Sequence, residues 1–412
     1  MCSLLTNLYT VNFFCLCLRL NFHISVGTGS SFEMEVRLKT SVRLTGVAGT
    51  TRGSSTMGMG FKRKTKPKTK NGNHSQNWKI YNLIQTMEKF LFPQILRILC
   101  GFVAEPVTSG PGRPRTKYAD QVFCVVIKAF ECDSGRRYTS DLHVAAERKL
   151  LAHVPHFNSV LNYGRDEQLV EPLQHLVVRS SFPLRKLEKI IAIDSTSFST
   201  DQYVQWSKVK FGKPEEWHDW RKLHVAVGVD THIITAVLTS DAYVNDYNFL
   251  RALLRITAAS GYEILEVCAD KAYLGGANMR AVALLDATPY IMPKARTSSE
   301  GKSKVWKDMY ELHKNDPEEF GAHYHLRSNV ETVFSMIKTV FDGSLRAKSK
   351  TGQRTELLAK ALCHNIRVLI RCMYELNVEL DFSDLPPIPE DEGGQGKLAL
   401  DRINYIPGIN RN

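Results

Sequence analysis

Four apolar runs, each stopped by an aspartate, constrain the fold of this chain more than any other feature. "IIAID" ends at Asp194, "KLHVAVGVD" at Asp230, "HIITAVLTSD" at Asp241 and "EVCAD" at Asp270. Short runs rich in Val and Ile and bounded by turn residues read as buried strands. A tight turn at Asp230–His232 joins the second and third. "DYNFLRALLRITAASG" has helical spacing and is stopped by Gly261. A helix, "GGANMRAVALLDA", and a short strand, "TPYIMPKA", follow the fourth run, and then a polar loop from Arg296 to Ser303. The long amphipathic stretch "GQRTELLAKALCHNIRVLIRCMYEL" is placed to cover the sheet. Strands alternating with helices in this way specify an α/β domain, here spanning residues 186–380.

The part before it reads as helical. "WKIYNLIQTMEKFLFPQILRILCGFV" has helical apolar spacing, and residues 61–108 form a basic segment with that helix. Within 109–185, three amphipathic segments follow a Gly/Pro-rich "SGPGRPRTKYAD". They begin at Tyr118, at an N-cap of Thr139 or Ser140, and near Asn158. Such a set suits a helix-turn-helix-like DNA-binding module and equally a plain bundle. Arg113 and Arg115 could enter an A·T-rich minor groove or simply belong to a linker. Residues 1–60 read as poorly ordered, or as an over-called frame with Met57 or Met59 as the start. Residues 381–412 read as a flexible, acidic, Pro/Gly-rich tail.

The formal net charge of +12 favours a polyanionic partner, nucleic acid first. "FKRKTKPKTK" at 61–70 suits phosphate contact without base reading. The nine cysteines show no zinc-ligand spacing and read as free thiols in a reducing, cytoplasmic setting. The apolar start of the chain is too short and polar for a membrane span.

Asp194 and Asp270 occupy equivalent places, each at the end of an apolar strand. Open α/β sheets expose ligand sites there, although many strands end in Asp only because a turn follows. A third carboxylate comes from "HYHLRSNVETVFSMIK", where Tyr324, Arg327, Glu331 and Lys338 recur at offsets of three, four and seven. On one continuous helix they project within an arc of roughly 60°. Taken alone, that face could be a solvated salt-bridge ladder. Set beside Asp194 and Asp270, it supplies a third acid. Three converging carboxylates repel one another unless cations lie between them, and two Mg²⁺ ions solve that problem. Mn²⁺ is an alternative. Arg327 and Lys338 would then bind the flanking phosphates.

These motifs resemble the DDE transposases of prokaryotic insertion sequences, in the branch marked by Tyr-x2-Arg-x3-Glu-x6-Lys. "IIAIDSTSF" and "VCADKAYLG" resemble the first and second catalytic blocks, and the likeness runs from about Gly110 to Leu376. It implies an RNase H-like mixed sheet of about five strands with helices on both faces, preceded by a helical DNA-binding module. It implies metal-dependent hydrolysis at transposon ends, then attack of the freed 3′-hydroxyl on target DNA. Asp194, Asp270 and Glu331 carry over as catalytic metal ligands. Tyr324, Arg327 and Lys338 carry over as DNA contacts, with Lys222 and Trp220 as further candidates. A homodimer on DNA and association with the nucleoid belong to the same expectation. The short Asp270–Glu331 interval leaves no room for a large β-insertion. Two other readings stay open: a catalytically silent DNA-binding repressor, and an RNase H-like nuclease without strand transfer.

Overall fold

The computed structural model describes residues 77–105, 115–200, 220–295 and 297–382. These lie in one compact unit, Ser75–Asn412. Arg113, the basic run at 61–70, residues 1–60 and the tail from 383 onward fall outside the described residues.

Five strands form one mixed sheet in the order β3-β2-β1-β4-β5. They are β1 (Ile190–Ser199), β2 (Trp220–Gly228), β3 (Ile234–Asp241), β4 (Glu266–Ala269) and β5 (Thr288–Ile291). β1 pairs antiparallel with β2, and β2 with β3; β1 pairs parallel with β4, and β4 with β5. This is the five-strand mixed sheet that the resemblance implies. Two boundaries differ from expectation. β1 does not stop at Asp194 but runs on to Ser199, because β2 continues to pair with it as far as Trp220. β2 starts earlier than expected, at Trp220, and ends at Gly228, before Asp230.

Helices cover both faces. Directly opposed residues of an antiparallel pair share a face. His224 is opposite Ser195 and stacks on Phe249, the first residue of α6 (Phe249–Ala259), with ring centroids 3.7 Å apart. Asp194 and Thr196, on the alternate positions, therefore face the other way. That face carries α10 (Ser328–Phe341) and α11 (Lys350–Glu375). In α10 the buried residues are Val330, Val333, Phe334, Ile337 and Phe341, the apolar stripe legible in the sequence.

The N-terminal helices share the core of the sheet. α1 (Trp78–Cys100), α2 (Tyr118–Glu131) and α5 (Val170–Ser180) all pack on α11, and α5 also packs on β3. β3 is an edge strand, and side chains from this layer bond to its backbone at Ile234 and Val237. Asn365 accepts from Ile234 N at 2.9 Å and donates to Ile234 O at 2.8 Å, while Gln174 donates to Val237 O at 2.9 Å. A covered edge cannot recruit a further strand.

The helical segments differ from expectation in several places, among them two helices, Lys304–Asn315 and Pro317–Tyr324, that were not expected. The third N-terminal segment splits into α4 (Phe157–Tyr163), a 3₁₀ turn and α5, and its first cap is the His156 side chain, not Asn158. α3 (Thr139–Glu147) has Tyr138 at its N-cap, because the Thr139 and Ser140 hydroxyls donate backward to Gly135 O and Arg137 O. The single helix expected from Tyr324 to Lys338 is interrupted. Tyr324 ends α9 (Pro317–Tyr324), His325–Arg327 form a 3₁₀ turn, and α10 begins at Ser328. Ser328 Oγ donates to His325 O at 2.8 Å and Asn329 Nδ2 to Leu326 O at 2.7 Å, so side chains compete for carbonyls of this turn. Between Asp270 and Glu331 lie α7 (Gly276–Ala283), β5, α8 (Lys304–Asn315) and α9.

Candidate active site

β1 is buried on both faces through Ile193 and opens from Asp194 onward. Its parallel pairing with β4 ends at Ile193↔Ala269. Asp194 and Asp270 are each the next residue, so their backbones lie side by side, about one strand spacing (~4.8 Å) apart. Asp270 also stands at the N-cap of a 3₁₀ turn, Lys271–Tyr273. Buried Tyr273 packs that turn down on the sheet.

Glu331 reaches the pair through Arg327. The guanidinium places Nη1 3.0 Å from Asp194 Oδ2 and Nη2 2.9 Å from Glu331 Oε1. The second oxygen of Asp194 accepts from Ser195 N at 2.8 Å. Burial is the largest influence on Asp194 and raises its pKa. The Ser195 N–H and Arg327 oppose that shift, while the charges of Asp270 and Glu331 add to it. Burial works against the charge of Arg327, yet Asp194, Tyr324, Glu331 and Asp270 together raise its pKa. Tyr324 has its guanidinium neighbour 5.9 Å from the ring centroid. Burial raises the Tyr324 pKa, with Arg327 and Asp270 acting on it in opposite senses. The broken helix thus still delivers Tyr324, Arg327 and Glu331 to one place.

α10 runs alongside β1 and is tied to it further along. Lys338 Nζ donates to Thr196 Oγ1 at 2.7 Å and lies 5.3 Å from the Phe198 ring centroid. Burial lowers its pKa. Beyond α10, Ser199 N donates to Gly343 O at 3.3 Å and Leu345 N to Ser199 O at 2.7 Å. Thr196 was not among the residues singled out from sequence. Its signal was the period of two in "DST", which puts it on the same face as Asp194.

The remaining candidates are engaged with other partners. Lys222 Nζ is held by Asp246 Oδ1 at 2.9 Å and Val244 O at 3.0 Å, so its charge is already matched. Half-buried Trp220 starts β2, 6.0 Å from the ring of Tyr243, which is 71% exposed. Arg115 pairs with Asp166 and lies over the Tyr118 ring. His224 is a buried core histidine. Its Nε2 is 2.8 Å from Ser240 Oγ, and burial pushes its pKa down to about 4.

Three carboxylates are hard oxygen donors of the kind that Mg²⁺ and Mn²⁺ take. The half-buried, only partly compensated charge of Asp194 also fits a cation. The donor set therefore fits such an ion. Among the described residues, however, no three acidic, thiol or imidazole groups already stand grouped to hold one. Arg327 is the group that Asp194 and Glu331 now share.

Residues 185–366 match the family model of the transposase DDE domain. The matched stretch begins just before β1, ends within α11, and contains Asp194, Asp270 and Glu331. Comparisons with curated proteins and with solved structures found no match. The likeness to a transposase DDE domain, on a five-strand mixed sheet with flanking helices, suggests transposition-related cleavage and transfer of DNA, a class that generally uses divalent metals. Among the described residues no helix is long and apolar enough to cross a membrane.

The described cysteines are free thiols, buried except for Cys132. Burial pushes Cys124 up to about 12 and Cys372 up to about 11, so neither is a ready nucleophile.

Proposed function

We propose that the protein is a transposase of the Tyr-Arg-Glu-Lys branch, which binds insertion-sequence ends and carries out metal-dependent strand cleavage and strand transfer. The observation that carries this reading is the meeting of Asp194 and Asp270 at the point where β1 and β4 part, with Glu331 joined to Asp194 through one guanidinium. Asp194, Asp270 and Glu331 are the catalytic carboxylates and would hold two Mg²⁺ ions, or Mn²⁺. Bound there, the ions supply an activated water or 3′-hydroxyl and stabilise the leaving oxygen.

The chain's own side chains do the rest. Arg327 offers a planar fork that suits a phosphodiester. Lys338 presents its ammonium beside Thr196, two residues along β1 from Asp194, and so marks the path of a strand leaving the reacting phosphate. Tyr324 adds a hydroxyl donor on the Asp270 side. The N-terminal helices, with Arg113, Arg115 and the basic run at 61–70, are the proposed end-binding part. Synapsis of two ends calls for a homodimer on DNA, and the compartment is the cytoplasm, at the nucleoid.

A plasmid mobility assay tests the reading. The gene and its native flanking DNA are placed on a plasmid and scored for loss and reinsertion of the segment. Movement with the wild type, and none with Asp194→Asn, Asp270→Asn or Glu331→Gln, is the expected result. Nicks at the flanks without any joined product would instead identify a nuclease. Flank binding with neither nicks nor movement would identify a repressor.

A further inference from the structure

Arg327 joins residues from two different elements. Asp194 comes from β1 and Glu331 from α10, and separate nitrogens of one guanidinium reach them at 3.0 and 2.9 Å. Asp194 has its other oxygen on Ser195 N at 2.8 Å, so each of its oxygens already has a donor. The Glu331 side chain is 57% exposed and can move; Arg327 is only 21% exposed. Two further candidate cations have other partners, Lys338 bonding to Thr196 and Lys222 to Asp246. Arg327 is thus the positive charge that the carboxylate pair shares in the free protein.

We propose that Arg327 is the resident counter-ion of Asp194 and Glu331, that it competes with divalent cations for them, and that a DNA phosphate is the ligand that draws it away. This rests on the reading of the site as a metal-dependent DNA-cleaving centre. The physical grounds are simple. A guanidinium and a dication repel each other, twice as strongly as two single charges at the same separation. Both seek the same carboxylate oxygens, so occupancy by one opposes the other. A phosphodiester offers Arg327 an equivalent acceptor for its two-pronged donation. DNA binding therefore removes the competitor of the metal. By linkage, metal binding frees Arg327 for DNA to the same degree. In the free protein Arg327 weakens metal binding at Asp194 and Glu331, and DNA relieves that competition.

The test reads binding, not activity. Mn²⁺ is titrated into the full-length protein and the free ion is followed by its paramagnetic resonance signal. Wild type, Arg327→Gln and Arg327→Lys are compared, each checked for folding by thermal melting. Each is measured alone and with a flank duplex whose 3′ end is dideoxy-terminated, so that no joining can occur. Without DNA, Arg327→Gln should bind Mn²⁺ about tenfold more tightly than wild type, within the range usual for coupled sites. Arg327→Lys should stay near wild type. The duplex should tighten Mn²⁺ binding to the wild type and leave Arg327→Gln little changed. Equal Mn²⁺ affinity of wild type and Arg327→Gln in the absence of DNA would overturn the proposal and leave the metal site standing. Absence of Mn²⁺ binding in every protein, with and without DNA, would overturn the metal site as well. If Arg327→Gln does not fold, the wild type decides alone: an affinity unchanged by the duplex overturns the coupling.

Discussion

At Asp194 burial opposes ionisation, and the Ser195 N–H and Arg327 only partly offset it. A carboxyl whose folded pKa is raised lends stability below its unfolded pKa and loses that contribution as pH rises through the folded one. Asp194→Asn should therefore keep the melting temperature within a few degrees of wild type, since the amide oxygen still accepts from Ser195 N. It should lower cleavage by about 10³-fold, the scale of losing metal stabilisation worth several kcal/mol. A collapse in melting temperature would show that Asp194 is structural. Lys338→Met keeps the aliphatic stem on Phe198 and removes the charge. It should weaken DNA binding and reduce the slope of log affinity against log salt by about one; an unchanged slope would take Lys338 off the phosphate path. The three acids were legible because apolar runs stop at two of them and a helical spacing marks the third. The Lys222–Asp246 pair was not, because sequence shows charges and not which distant partner neutralises them.

The five strands and most of the covering helices were legible as elements, since each carries its own hydrophobic period, but α8, which packs on β5, was not read. The interruption at His325–Arg327 was not, because it depends on Ser328 and Asn329 turning their side chains onto backbone carbonyls. The start of α9 could have been read: Asp316 caps Glu319 N at 3.0 Å with Pro317 in the first turn, a standard opening. Two elements give direct tests. A Cβ at Gly228 would stand 2.3 Å from Glu188 Cδ, and Glu188 holds the β2–β3 turn through Asp230 N and Thr231 N. Gly228→Ala should cost about 1–3 kcal/mol in denaturant unfolding, the usual range for overpacking. Asn365→Ala leaves the edge groups of β3 unpaired in the core and should cost about 3 kcal/mol or more by the same measurement, at about 1–3 kcal/mol per orphaned group. A loss below about 0.5 kcal/mol, typical of surface changes, would show that neither contact closes the sheet.

Across the whole molecule, charge and core act on different properties. The net charge of +12 would serve the proposed attraction to DNA, and its effect should fade with salt. The core sets the response to acid. Burial pushes His364 down to about 4, with Nε2 donating to His232 O at 2.9 Å, and His224 is held down similarly. A histidine with a depressed folded pKa lends stability above its unfolded value of about 6.5, and that stability is lost as pH falls toward 4. Unfolding free energy should thus decline between about pH 6.5 and pH 4, and His364→Gln should flatten the decline. The sheet order that brings Asp194 beside Asp270 is a property of this scale too, and the proposed function rests on it. The most direct test of that claim is cleavage by purified protein of a duplex carrying its own flanking DNA, with and without Mg²⁺. Wild type is compared with Asp194→Asn, Asp270→Asn and Glu331→Gln. The account predicts Mg²⁺-dependent nicks and joined strands from the wild type, and neither from any of the three variants. Wild-type levels of cleavage from any one of them would contradict it.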